Sequence, residues 1–168
     1  MEIVNIFATY LYAFRYDNID NEYRRLIKLW TDTEYVKKFA EDNNIKNKNN
    51  FIDKVAQDAD DIDDFLKYIV EDGNLLGDYF APYNDSELGF KILSLQKGKK
   101  KQSNLRIYAI KIAENLFVIT GGAIKITQTT QEHQDTKKEH TKLKQAKQYL
   151  ESEGVFDEET FYELLNSN

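Results

Sequence analysis

The spacing of apolar residues changes character once along this chain, and that change constrains the fold more than any other feature. Up to about Gly73 the apolar positions after the first seventeen residues recur at helical spacing. From Leu88 onward they alternate, as strands do. Tyr23, Leu26, Ile27 and Trp30 predict a helix over Asn21 to Leu29. Tyr35, Val36, Phe39 and Ala40 predict a second over Thr33 to Asp42, with Thr31 and Glu34 as its capping box. Ile52, Val55, Ala59, Ile62, Phe65, Leu66 and Ile69 predict a third over Phe51 to Val70, closed by Gly73. Asn43 to Asn50 between them reads as a polar, flexible loop. The later strands are Gly89–Gln96, Leu105–Ala113, Leu116–Thr120 and Ala123–Thr130, with Glu114-Asn115 as a tight hairpin. Gly121-Gly122 is either a second turn or a bulge in one long strand. A closing helix carries Leu143, Ala146 and Leu150 and ends at Gly154, and Asp157 caps a short last helix.

Ahead of all this, Met1 to Asp17 alternates β-favouring residues (Ile6, Ala8, Tyr10, Tyr12, Phe14, Tyr16) and reads as one long first strand. The whole is a single α+β domain over residues 1–168. Within it, 1–17 is a first strand, 18–74 an acidic helical insertion, 75–154 a basic sheet and helix, and 155–168 a short terminal helix. A length of 168 residues suffices for one core without disulfides or metals.

Composition narrows the chemistry. There is no cysteine, so thiol catalysis and thiolate metal sites are excluded, and two histidines cannot make a multi-histidine zinc site. No apolar run approaches the roughly 20 residues that span a bilayer, so a cytoplasmic location is expected. No cofactor or metal is called for. The charge is distributed unevenly. Lys91 to Leu150 holds thirteen cations and four anions, a net +9, while the remaining residues hold ten cations and 25 anions. One part therefore suits a polyanion and the other a solvating or shielding surface.

Strand periodicity sorts the cations. Arg106 and Tyr108 share a face of one strand, and a planar guanidinium can grip phosphate with two parallel bonds. Lys125 lies at the centre of the polar face of the Ala123–Thr130 strand. Lys97, Lys99, Lys100 and Lys101 form a cationic hairpin tip suited to delocalised phosphate contact. His133, in the loop beyond, titrates near neutrality and can move a proton. Each also has a plain reading. Arg106 can lie over an aromatic ring, Lys125 and His133 can be solvated, and the lysine tip can be a solubilising turn. The aspartates from Asp58 to Asp64 lack the glycine of a calcium loop and fit the outer face of a helix.

The stretch NLRIYAIKI–NLFVITGGAIKITQTTQEHQDTKKEHTKLKQAKQYL resembles the RelE/HigB-like toxins of bacterial toxin–antitoxin pairs, in particular the phage-derived HigB-like branch. The resemblance covers about residues 75–150. It rests on an arginine-bearing strand at Leu105-Arg106-Ile107, a tight hairpin, a glycine-containing strand, the Lys125 to Gln131 exit and a basic closing helix. It implies a small antiparallel sheet closed by helices and ribosome-dependent cleavage of messenger RNA by metal-free attack of the 2′-hydroxyl. The partners it implies are messenger RNA, the ribosome and a cognate antitoxin of helix-turn-helix type. Carried over, Arg106 and Lys125 would hold the scissile phosphate, His133 would transfer the proton, and Tyr108 would stack on a base or orient a proton. Lys97, Lys99, Lys100, Lys101 and Lys111 would contact RNA. The acidic helical segment and the acidic whole depart from the family pattern. The alternatives are a non-catalytic protein- or RNA-binding module of that fold, or an accessory protein of a phage or mobile element.

Overall fold

The computed structural model describes residues 1–7, 10–17, 19–73, 75–82, 91–95, 103–126 and 134–167. Its elements confirm an α+β chain. In order they are β1 (Glu2–Phe7), β2 (Leu11–Arg15), α1 (Glu22–Thr31), α2 (Thr33–Asp42), α3 (Lys48–Glu71), β3 (Phe80–Pro82), β4 (Lys91–Leu95), β5 (Leu105–Ala113), β6 (Leu116–Ile124), α4 (Gln134–Ser152) and α5 (Glu158–Ser167), with a single 3-10 turn at Leu76–Asp78 before β3.

The six strands form one sheet in the order β1-β2-β6-β5-β4-β3. All neighbours are antiparallel except β2 and β6, which run parallel with Leu11 beside Phe117 and Ala13 beside Ile119. The expected long first strand is instead a hairpin: Phe7 pairs with Leu11 and Glu2 with Arg15. Alternation continues through both arms with no Gly, Pro or Asn at the reversal, so the pattern alone fuses two strands into one. Of the two readings of Gly121-Gly122, the bulge in one strand holds and the turn does not, since β6 runs unbroken through Ile124. Thr120 is the extra residue of a bulge there, since Tyr108 pairs with Gly121 and Ala109 with Ile119. Residues 127–130 of the expected last strand lie outside the described residues.

Each face of the sheet is covered. Leu11, Ala13, Leu105, Ile107, Ala109, Phe117 and Ile119 point to one side and form a core with Leu26, Trp30, Val36, Val55, Ile62 and Leu66 of α1, α2 and α3. Tyr12, Phe14, Ile110, Leu116 and Val118 point to the other and pack on Leu143, Ala146, Leu150, Phe161 and Leu164 of α4 and α5. The central strands are therefore apolar on both faces, and β6 is buried at every position.

The helices begin and end where their chemistry dictates, with local corrections. Asp32, not Thr31, caps α2, accepting from the N–H groups of Glu34 and Tyr35 at 2.9 and 3.2 Å. Thr31 turns back to donate to the carbonyl of Ile27. The Asn43 to Asn50 segment is partly helical, because Asn47 accepts from Asn50 N–H and starts α3 at Lys48. Gly73 and Gly154 close α3 and α4 with φ of 69° and 74°, a conformation glycine adopts without strain. Asp157 caps α5 through the Thr160 N–H.

Candidate functional site

Arg106 and Tyr108 occupy the side of β5 that faces α4 and α5, together with Ile110. Arg106 does not present its whole fork outward: its Nη1 donates to the carbonyls of Ser103 and Leu105, both at 2.8 Å. Tyr108 lines a hollow with Glu139, His140 and Leu143 of about 10 Å³, room for one water at most. Lys125 is exposed, just past the end of β6, and its N–H donates to Asn104 at 2.5 Å. It follows by two residues Ala123, the cross-strand partner of Arg106, so Arg106 and Lys125 share one end of the sheet. Lys111 is not brought to them. It pairs with Phe117, and strand alternation turns it to the opposite face. His133, Lys97, Lys99, Lys100 and Lys101 lie outside the described residues.

A concentration of buried charge sits beside the Thr120 bulge. Gly121 turns toward α4, and the Glu139 carboxylate fills the space where its side chain would be: a Cβ there would lie 1.8 Å from Oε2. The same oxygen accepts from Gly122 N–H at 2.8 Å. From α1, Glu22, only 3% exposed, receives both Nε and Nη2 of Arg25 at 2.8 Å. Lys142 Nζ joins the two carboxylates, 2.9 Å from Glu22 and 3.4 Å from Glu139, while Arg25 lies 3.7 Å from Glu139. Tyr16 completes the group. Its hydroxyl donates to the carbonyl of Thr120 at 2.8 Å, and Lys142 lies over its ring at 5.6 Å.

Burial determines how these groups titrate. It raises the Glu139 carboxyl above its ordinary range; Glu22 pushes the same way, while Lys142, the Gly122 N–H and Arg25 pull down. Burial, then the negative charges of Glu22 and Glu139, hold the Tyr16 phenol protonated. A charge network of this kind adds little net stability over apolar packing, but losing one member strands the others. It joins α1 and α4 to the C-terminal part of β6, and it pins the two helices that flank a cleft.

That cleft, of about 260 Å³, opens over the cluster. Arg25, Lys138 and Lys142 line it with Glu139, and Trp30, Tyr35 and the Gly122–Ile124 segment form its walls. Arg25, Lys138 and Lys142 outnumber the carboxylates of Glu139 and of Glu22, which binds Arg25 and Lys142, by three to two, so the cleft favours an anion such as a phosphate. Nothing singled it out from the sequence, because its members are separated by more than a hundred positions. Two local signals exist: Glu22-x-x-Arg25 and Glu139-x-x-Lys142 each set an acid and a base one helical turn apart on an otherwise apolar face.

Outward from the cleft, α4 carries a basic surface. Leu143, Ala146 and Leu150 face the sheet, whereas Lys137, Lys138, Thr141, Lys144, Gln145 and Gln148 are exposed. Across the sheet α3 exposes Asp53, Asp60, Asp64 and Glu71. Among the described residues no group of three or more His, Asp or Glu could hold a metal, and no helix is long and apolar enough to cross a membrane. Comparison with protein families, with curated proteins and with solved structures finds no match.

Proposed function

We propose that this protein binds RNA, with the phosphate backbone running along the outer face of α4 and one phosphate entering the cleft of Arg25, Lys138 and Lys142. The observation that carries this reading is the separation of charge across the sheet: exposed lysines on α4 lead into a cationic cleft, while the acidic helix α3 lies on the far side. Phosphate contacts of this type are sequence-independent and position the ligand. The resemblance to RelE/HigB-like toxins supports messenger RNA on the ribosome as the target and a cognate antitoxin as the partner.

Cleavage of the bound strand is a second reading, favoured by the placement of Arg106 and Lys125 at one end of β5 and β6. In it the 2′-hydroxyl gives its proton to a base, the part the resemblance assigns to His133, and attacks the adjacent phosphorus. The 5′-oxygen leaves with a proton, and a 2′,3′-cyclic phosphate remains. Arg106 would have to release Ser103 and Leu105 to meet the phosphorane, so cleavage demands a local rearrangement that binding does not.

Binding is tested by fluorescence anisotropy with a single-stranded RNA oligonucleotide at salt concentrations from about 50 to 200 mM. The logarithm of affinity falls linearly with the logarithm of salt. Lys138→Gln/Lys144→Gln makes that slope shallower by about 1.4, because each lost phosphate contact on a single strand accounts for about 0.7. An unchanged slope, or no salt-sensitive binding by the wild type, overturns the proposal. Cleavage is read separately, from growth on expression. Wild type arrests and Arg106→Ala/Lys125→Ala does not if the strand is cut; equal growth removes the catalytic reading and leaves binding standing.

A further inference from the structure

The sheet has two outer strands, and they differ. β3 spans only Phe80–Pro82 and includes a proline, which has no N–H to offer. β1 spans six residues, Glu2–Phe7, with one charged side chain and no proline. It pairs with β2 on its inner side and is the last strand of the sheet on its outer side among the described residues. A long, weakly charged edge of this kind offers a row of backbone groups to any extended chain that reaches it.

Beside that edge lies the largest hollow of those described, about 510 Å³, between β1 and the helices α1 and α3. Val4, Asn5, Ile6 and Phe7 form its strand wall, and Tyr23 and Ile27 its apolar floor. The Phe7 and Tyr23 rings meet edge to face within this lining, their centroids 5.4 Å apart. Arg24, Lys28 and Lys67 bring cations to it, and Asp63 is the one lining carboxylate. Asp63 is already engaged by the Tyr23 hydroxyl and by Lys67, and these bonds outweigh burial to hold its carboxyl below the usual range. Lys28 is paired with Asp20 at 2.7 Å. Counting Asp20 as well, cations exceed carboxylates by three to two, and the exposed guanidinium of Arg24 forms no ion pair among the described residues. A cationic hollow within the acidic part of the chain is the reverse of its surroundings.

We infer that β1 is a docking edge for an extended acidic segment of a partner protein, which adds as a seventh strand and places Asp or Glu side chains against Arg24, Lys28 and Lys67. Main-chain pairing with β1 supplies affinity, and the alternate side chains that turn toward α1 and α3 supply specificity. A second copy of this chain fits less well. Edge-to-edge pairing would bring two sets of the same cations together around a two-fold axis, and β1 itself offers only Glu2 in exchange. This inference does not rest on RNA binding, although Arg24 and Lys28 belong to the same helix α1 that gives Arg25 to the other cleft.

The test uses the full chain and a terminally blocked peptide of alternating Glu and Val, six residues long to match β1. Saturable binding by calorimetry is expected, with none for the alternating Lys and Val peptide. Two N-methylated versions, blocked at the odd or at the even amides, must differ. The one whose methyl groups face β1 loses binding at least tenfold, and the one whose methyl groups face solvent retains it. Arg24→Glu/Lys28→Glu weakens the unmodified peptide at least tenfold with the circular dichroism spectrum unchanged. The inference is overturned if the acidic peptide fails to saturate, if both methylated peptides bind alike, or if the charge-reversed protein binds as well as the wild type. It is equally overturned if sedimentation shows a dimer that the peptide does not dissociate, which would give β1 to a second copy. A short RNA that competes the peptide off this edge would assign the hollow to nucleic acid instead.

Discussion

Gly121 and Gly122 stand side by side in β6, yet a methyl group on each would meet different obstacles. On Gly122 it would lie 2.5 Å from the backbone carbonyl of Arg106 and 2.8 Å from Leu26. Neither can retreat, because the first belongs to the paired strand and the second to a filled core. On Gly121 it would strike the end of the Glu139 side chain, which has rotatable bonds but anchors the charge network. Gly122→Ala is expected to cost about 1–3 kcal/mol by overpacking, read as a shift of the urea midpoint without a change of slope. Gly121→Ala is expected to displace Glu139 and lower the affinity for RNA as well as the stability. Glu139 also gives the fold a pH dependence of its own. Its carboxyl is raised in the folded state above the ordinary 4.5, so the folded chain holds that proton more tightly than the unfolded one. The stability this supplies is complete below about pH 4.5 and is lost as pH rises through the folded value. Glu139→Gln keeps an oxygen for the Gly122 N–H and removes the titration. The melting temperature of Glu139→Gln minus that of wild type should therefore climb as pH is raised above 4.5; a flat difference would show that the carboxyl is not raised.

The start of α2 shows how closely a helix boundary can be read from sequence and where the reading slips. The sequence pointed to Thr31 with Glu34, but the Asp32 carboxylate holds the two leading N–H groups and the Thr31 hydroxyl belongs to the end of α1. Asp32→Ala should cost about 1 kcal/mol in chemical unfolding, and Thr31→Ala much less; equal costs would return the cap to Thr31. Elements with strong local periodicity were readable to the residue or nearly so: α2 over Thr33–Asp42 and β5 over Leu105–Ala113 coincide with their expected ranges. The N-terminal hairpin was not, because its reversal carries none of the residues that announce a turn. The parallel pairing of β2 with β6 was hidden for another reason. Partners more than a hundred positions apart leave no local trace. The same distance hid the cleft, which takes Arg25 from α1 and Lys138 and Lys142 from α4. Arg106 shows the converse, since its strand and face were readable while the donation of its Nη1 to Ser103 and Leu105 depends on how the chain enters β5.

The sheet divides the molecule's charge as well as its core. Helix α3 exposes Asp53, Asp60 and Asp64 on one side, and α4 exposes Lys137, Lys138 and Lys144 on the other. Two helix-to-sheet spacings of about 10 Å and a helix radius of about 5 Å at each end put these outward surfaces roughly 30 Å apart. An overall charge of −6 therefore describes neither surface. At physiological salt the Debye length is about 8 Å, so a strand lying on α4 barely senses α3; at about 0.01 M salt the length is about 30 Å and it does. Asp53→Asn/Asp60→Asn/Asp64→Asn should accordingly speed association with RNA at low salt and leave it unchanged at about 0.15 M. Stopped-flow fluorescence at the two salt concentrations measures this directly. An equal acceleration at both would mean that RNA touches α3, which would put the binding surface on the wrong face of the sheet. No acceleration at either, with binding intact, would mean that the acidic helices are electrically invisible to RNA and that their charge serves the protein in some other contact.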